Sequence, residues 1–243
     1  MNSKIAPMLL AAAGLFALAV TADAQTADPA PAAAPVAAPA PAPAAAPTVL
    51  APNGPADGCE LHVWPAERMA SQTSGLFGPG LLSSAINGKR DSSNQALMAS
   101  ALDSPSQLTA LTAMDLRGMM ARTPGTTIVL HETPLERHTM NKIKTRRAES
   151  TSKCYSELIV ADVFFQKAML YGRSLNTLFM LRDFGDDQKI DKQYKSWGGN
   201  GISLFPPKEG EDVGAALNEL VDVFKKNFVE FSDKARKSLA AKK

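Results

Sequence analysis

The chain has 243 residues, 45% of them hydrophobic, and a formal net charge of +2 at pH 7. A charge this close to zero gives no sign of the basic surface that nucleic-acid binding needs, so nucleic acid is not an expected partner. Two cysteines without C-x-x-C spacing and three scattered histidines also exclude the usual redox and zinc motifs.

The first 24 residues have the features of a secretory signal peptide. Lys4 precedes an apolar run from Ile5 to Val20, and the small residues that a signal peptidase recognises follow at Thr21–Ala24. We therefore predict cleavage after Ala24 and a periplasmic or secreted location, with an uncleaved anchor helix as the alternative. Because the first cysteine lies far beyond this run, a lipoprotein is not expected. No transmembrane segment is predicted after cleavage.

Residues 25–57 are predicted to form a disordered linker. They are mostly alanine and proline, with PAAAPVAAPAPAPAAAP at the centre. Such a composition cannot bury enough apolar surface to fold, and proline favours extended polyproline II. The linker is either a tether that crosses peptidoglycan or holds the domain away from a partner, or a leader without a specific task.

Residues 58–240 are predicted to form one globular domain that opens with a strand at Cys59–Trp64. The glycine- and serine-rich residues 66–90 predict a long loop, which is a candidate binding surface. Two helices are predicted next, at residues 93–102 and 104–121. Ser104 would cap the second helix and Pro105 would take its first position. Residues 126–131 predict a strand.

Residues 132–153 are polar and basic. Lys142, Lys144 and Arg146 alternate with Ile143 and Thr145, which predicts an edge strand with its cations on one face. A lysine-rich edge usually prevents aggregation between strands. The alternative is a docking surface for an anionic partner, such as lipid phosphates or an acidic protein, formed by Lys142, Lys144, Arg146, Arg147 and Lys153.

Residues 153–184 are the densest apolar stretch after the signal peptide and predict a β-hairpin with its turn at Leu170–Arg173. Residues 183–201 are predicted to be a loop, because glycines follow Trp197. This loop is a second candidate site, through Asp183, Asp186, Asp187 and Trp197. A short strand at Ile202–Phe205 and an amphipathic helix at residues 212–239 complete the domain.

Cys59 and Cys154 are predicted to form one intramolecular disulfide, as expected in an oxidising compartment. An intermolecular pair and two buried thiols are the alternatives. The bridge would close a loop of about 95 residues, and the chain-entropy model then gives an upper figure of about 4 to 5 kcal/mol.

The sequence contains none of the common catalytic motifs H-E-x-x-H, G-x-S-x-G, G-x-x-x-x-G-K-S/T and G-x-G-x-x-G. Ser150–Lys153 matches S-x-x-K but lacks the companions S-D-N and K-T-G. Asp183–Gly185 copies a kinase tripeptide without any other kinase element. We therefore predict no catalytic residue and no cofactor.

Metal binding is not predicted either. The aspartates at positions 183, 186, 187 and 191 do not have the spacing of an EF-hand loop, and a solvated acidic turn explains them better. His62, His131 and His138 are spread over two predicted strands and a loop. His62 and His131 could meet across adjacent strands.

The order strand, helices, strand, long hairpin and terminal helix resembles small domains of bacterial envelope assemblies. These are the amino-terminal domain of the Tol-Pal translocation protein and the periplasmic domain of curli-secretion lipoproteins. The resemblance covers Cys59 to Leu239, although this chain lacks the acylated cysteine of the lipoproteins. The predicted elements themselves indicate one α+β domain with a mainly antiparallel sheet, and with the helix at residues 104–121 and the carboxyl-terminal helix packed on one face.

Because the sequence has none of these catalytic motifs, binding is the class of function that we expect. We expect a periplasmic binding or scaffold module whose partner is an envelope protein or polymer. The first alternative is an unrecognised hydrolase or isomerase that uses His62, His131 and the Asp183 loop. The second is binding to a membrane surface or polyanion through the basic segment, as a peripheral contact.

Overall fold

The computed structural model describes residues 46–67, 69–74, 97, 100–168 and 172–240, with only the backbone of residues 71–74, 137 and 138. These residues belong to one compact α+β unit. Its sheet contains β1 Thr48–Leu50, β2 Cys59–Trp64, β3 Ala70–Ser74, β4 Thr127–Leu130, β5 Cys154–Ala168, β6 Gly172–Phe184 and β7 Ile190–Gly201. Its helices include α1 Ser104–Thr112, α2 Leu116–Met119, α3 Arg137–Met140 and α4 Val213–Ala240.

The sheet is mixed and has the order β1-β4-β2-β5-β6-β7, with β3 beside the far end of β5. β2 lies parallel to both β4 and β5, and β3 also runs parallel to β5. The other pairings, β1 with β4, β5 with β6 and β6 with β7, are antiparallel. The predicted fold class is therefore confirmed, and its long antiparallel part is β5, β6 and β7.

The main core lies between one face of the sheet and the helices α1, α2 and α4. Alternate strand residues supply the sheet side, and α4 supplies a row of phenylalanines. Phe179 at the centre of β6 lies 5.7, 5.3 and 5.2 Å from the rings of Phe224, Phe228 and Phe231. The amphipathic helix predicted at residues 212–239 is confirmed and packs on the sheet.

A smaller core lies on the other face of the sheet. It contains Trp64, Ile159, Ala161 and Met180 from the strands, and Met140 from α3. The chain after α3 continues across this face, since the backbone carbonyls of Met140 and Ile143 accept hydrogen bonds from Arg182 of β6.

The disulfide is confirmed: Cys59 and Cys154 are bonded, with their Cα atoms 4.7 Å apart. They are direct partners in the parallel register of β2 and β5. Such a bond is typical of oxidising compartments and indicates an extracytoplasmic location. No helix among the described residues has the length and apolarity needed to span a membrane. The predicted signal peptide and most of the predicted linker lie outside the described residues.

Two predicted non-strand segments contribute strands. Thr48–Leu50, within the predicted linker, pairs with β4, so the sheet begins before residue 58. Ala70–Ser74, within the predicted loop 66–90, pairs with β5. Pro65 separates this strand from β2, and both then lie along the same side of β5. Most of the loop and most of the helix predicted at residues 93–102 lie outside the described residues.

The single helix predicted at residues 104–121 is wrong in its continuity. α1 ends at Thr112, and α2 starts after Asp115, whose carboxylate accepts a hydrogen bond from the Gly118 amide. Asp103, and not Ser104, caps α1, because its carboxylate accepts from the Ser106 amide. Asp115 thus acts as a second helix start inside an apolar periodic stretch.

Two predicted strands are absent. Residues 142–146 form only a single bridge, from Thr145 to Lys189, because Arg146 and Arg147 turn inward to polar partners. Residues 202–205 do not pair as a strand. The amides of Ser203, Leu204 and Phe205 donate instead to the carboxylate of Glu219 on α4.

Candidate functional site

The loop predicted at residues 183–201 is mostly the edge strand β7. It pairs with β6 on one side from Ile190 to Gly201. On the side of β7 that faces away from β6, the bridge from Thr145 to Lys189, just before the strand, is the one backbone pairing among the described residues. A long strand therefore presents unpaired backbone groups.

Gly198 of β7 reflects contact with α4 and not a turn. A Cβ at Gly198 would lie 2.5 Å from the backbone oxygen of Asn227, so only glycine allows the helix to approach this closely. The buried Asn227 amide donates to the Leu175 carbonyl at 2.9 Å, and Asn200 donates to the Asn227 side-chain oxygen at 2.7 Å. This polar joint fixes α4 on β6 and β7.

Trp197 is the most prominent residue of the edge. Because side chains alternate along β7, Tyr194 and Gly198 face α4, whereas Lys195 and Trp197 face away from it. Trp197 is 47% exposed, which is unusual for so large an apolar side chain in the middle of a strand. It lies directly across from the partly buried Leu178.

The predicted basic surface divides into two sets. Lys142, Lys144 and Lys153 are exposed. Arg146 and Arg147 are partly buried and point to protein groups: Arg146 donates to the Ser152 carbonyl at 2.7 Å and stacks over the Tyr155 ring. Three of the five predicted cations are therefore available to an anionic partner.

Arg147 belongs to a buried network that the sequence did not predict. Its guanidinium is paired with Glu157, whose other oxygen accepts from the Arg147 amide at 3.0 Å and the Tyr155 hydroxyl at 3.2 Å. Arg182 lies 3.9 Å from the same carboxylate. Burial raises the pKa of Glu157, although both arginines oppose this. The sequence signal for this network was a charged residue within the apolar stretch of each hairpin strand, Glu157 in the first and Arg182 in the second.

His62 and His131 do meet, as their predicted strands allowed. Nδ1 of His62 lies 2.9 Å from Nε2 of His131, and Nε2 of His62 lies 3.0 Å from the Glu60 carboxylate. Trp64 stacks on His131 with ring centroids 4.0 Å apart. Burial, with a smaller contribution from the neighbouring His62, lowers the pKa of His131 to about 4. Burial also lowers the pKa of His62, with Glu60 opposing.

The pair does not form a catalytic site with the Asp183 loop. His62 and Trp64 lie on the sheet face away from α4, whereas Asp183 lines a cavity with Leu181 and the end of α4. Both ring nitrogens of His62 are already engaged. The Asp183 carboxylate is itself paired with Arg122. The three residues of the enzyme alternative therefore do not share a pocket.

The remaining acidic residues form a tight turn between β6 and β7. Asp186 and Asp187 are exposed, and Asp187 accepts a hydrogen bond from the Lys189 amide at 3.1 Å. Within the described part of the chain, no three histidine, cysteine or acidic side chains gather closely enough to hold a metal ion. This turn connects β6 to β7.

Comparison with known proteins adds little to this geometry. No family model and no curated protein matches the sequence. The solved structures that it resembles include a Xanthomonas campestris protein of the family DUF330, at 12% identity and a TM-score of 0.28. The similarity covers 78% of this chain and 89% of that one.

A second similar structure is described as an uncharacterized protein. It is 14% identical, with a TM-score of 0.26, and the similarity covers 75% of this chain and 94% of that one. Neither similarity is close enough to support a conclusion about fold or function. The resemblance to the Tol-Pal and curli-secretion proteins stays a prediction.

Proposed function

We propose that this protein is a non-enzymatic binding module of the bacterial cell envelope, which docks an extended, acidic segment of a partner protein along β7. The observation that carries the proposal is the edge itself. A strand of 12 residues with an exposed tryptophan at its centre is suited to strand addition, where main-chain hydrogen bonds give affinity and side-chain contacts give specificity.

The charge of the surroundings favours an acidic partner. Lys195 is exposed on the same face as Trp197. The segment with the exposed Lys142 and Lys144 joins this edge through the bridge from Thr145 to Lys189. The exposed lysines near this edge, Lys142, Lys144, Lys189 and Lys195, outnumber its exposed aspartates, Asp186, Asp187 and Asp191, by one. Charge complementarity of this kind steers association and selects the partner.

Site-specific photo-crosslinking in envelope preparations tests the proposal. A photoreactive phenylalanine at position 197 is expected to capture one discrete protein, and Lys195→Glu is expected to reduce the capture at least about fivefold. Position 229 is the matched control, because Val229 is 43% exposed on α4 and not on the strand. Equal capture from position 229, or no discrete product from 197, would refute the proposal.

Vesicle binding separates this proposal from the membrane-surface alternative. A docking edge for protein predicts no measurable binding to vesicles that contain anionic phospholipid. Salt-sensitive vesicle binding that Lys142→Glu and Lys144→Glu abolish, without any effect of Trp197→Ala, would instead favour a peripheral membrane protein.

A further inference from the structure

A small cavity lies on the other face of the sheet, away from the exposed side of Trp197. It is bordered by α2 and the residues after it, by β6 and β7, and by the last turns of α4, opens to solvent, and has a volume of about 240 Å³. The apolar side chains that line it are Met119, Met120, Leu181, Ala235 and Leu239. Met120, Leu181 and Ala235 belong to the main core, so the floor of the cavity is apolar.

The rim of this cavity carries more cations than carboxylates. Arg122, Lys192 and Arg236 line it together with a single acid, Asp183. Arg122 is paired with Asp183, and Arg236 with Asp233. Lys192 faces Asp183 across the register of β6 and β7 and forms no salt bridge of its own within the described residues.

The end of α4 opposes this charge only in part. Its terminal carbonyls carry about half a negative charge, which a full ammonium charge on Lys192 exceeds. The rim therefore favours an anion, and its position beside an apolar interior favours one with an apolar body.

One polar group at this rim has no partner within the described part of the chain. Nε of Arg122 is buried and has no hydrogen-bond partner among the described residues. The preceding residue, Ala121, has φ of 54° because it follows the C-cap of α2: its amide donates to the Gly118 carbonyl and the Arg122 amide to the Arg117 carbonyl, the usual left-handed end of a helix. The buried Nε of Arg122 therefore remains as the group that a bound anion would satisfy.

We propose that this cavity binds a small amphiphilic anion, an aliphatic chain that carries one carboxylate or phosphate. At about 30 Å³ for each non-hydrogen atom, the cavity has room for about eight atoms of the chain. The chain would contact Met120, Leu181 and Leu239, and the anionic group would lie at the rim beside Lys192 and Arg122. The site is independent of the proposed docking edge.

Calorimetric titration of the full chain with octanoate, octyl phosphate and octylamine tests this inference. Octanoate or octyl phosphate is expected to bind with a stoichiometry of one, and octylamine at least tenfold more weakly. The ratio between the two anions identifies the preferred head group. Absence of saturable binding of both anions at millimolar concentration, or equal binding of octylamine, would overturn the inference.

Variants on one strand provide the matched control. Lys192→Gln is expected to weaken binding of the anion about fivefold, whereas Lys195→Gln, on the opposite face of β7, leaves it unchanged. Ala240→Trp, at the exposed end of α4, is expected to obstruct the cavity and abolish binding without unfolding the domain. An equal loss in Lys192→Gln and Lys195→Gln, or full binding by Ala240→Trp, would contradict the assignment.

Discussion

The contact between His62 and His131 makes stability depend on pH. In the hydrogen bond between the two rings, one nitrogen donates its N–H and the other accepts it. The neutral pair can therefore take up one proton, but a second proton would place two N–H groups face to face at 2.9 Å. The pKa of His131 in the folded protein is about 4, below its ordinary value near 6.5. The unfolded chain therefore binds more protons between these values, and the folded state loses stability as pH falls.

We expect the free energy of unfolding to decrease by about 2 kcal/mol between pH 7.5 and pH 4 through this pair. His131→Phe, which keeps the stacking on Trp64, should flatten that dependence. Urea unfolding at several pH values measures it, with Val229→Ala on the outer face of α4 as the control. Glu60, Arg146 and Tyr155 also face His62. A wild-type slope in His131→Phe would show that Glu60 or other carboxylates cause the loss.

The buried Glu157 holds two arginines in place. The side chains of Glu157 and Arg182 are fully buried, and that of Arg147 is 4% exposed. Glu157→Gln leaves two cations without a counter-charge and should destabilise the fold by about 3 to 5 kcal/mol. The exposed pair of Arg236 and Asp233 is the control: Asp233→Asn should change stability by about 0.5 kcal/mol or less. Comparable effects of the two variants in chemical denaturation would contradict this account.

At the scale of the elements, β7 depends on close approach of α4. Gly198→Ala would place a methyl group 2.5 Å from a backbone oxygen of α4, so the helix must move, and we expect a loss of about 2 kcal/mol or more. Gly201→Ala is the matched control, since its Cβ would meet only the Arg173 carbonyl at 3.8 Å. Thermal unfolding compares them, and equal melting temperatures would show that β7 and α4 are not tightly joined.

The same strand shows where prediction from sequence ends. β2, the hairpin of β5 and β6, and α4 were predictable because each carries an apolar pattern of the right period along its whole length. In β7 the pattern is interrupted by glycines, of which Gly198 serves packing against α4, and local composition cannot distinguish such a glycine from a turn. The failure at residues 202–205 is similar, because the carboxylate that satisfies their amides comes from Glu219.

The candidate site was predictable only in its parts. Trp197 was named, but its exposure depends on the register of β7, which fixes the face on which it lies. Lys142 and Lys144 are exposed, whereas Arg146 and Arg147 are taken up by Tyr155 and Glu157. Such pairing requires the hairpin to be formed first, so no local pattern separates an inward arginine from an outward lysine.

At the scale of the whole molecule, the disulfide joins β2 to β5, the longest strand of the sheet. Cys59 and Cys154 are 95 residues apart, and the parallel pairing of β2 with β5 has no hairpin to support it. The bond removes most of the entropy that the chain must lose to bring these strands together. We expect Cys59→Ser with Cys154→Ser to lower the free energy of unfolding by about 3 to 4 kcal/mol.

Urea denaturation with and without reductant measures this contribution. The wild type in reductant should match the double variant, whereas the double variant should not respond to reductant. Because the effect arises largely in the unfolded chain, the spectrum of the folded state and the environment of Trp197 should stay the same. A loss below about 1 kcal/mol would mean that the β2–β5 pairing is stable without its covalent link, and that the unfolded chain already keeps these strands close.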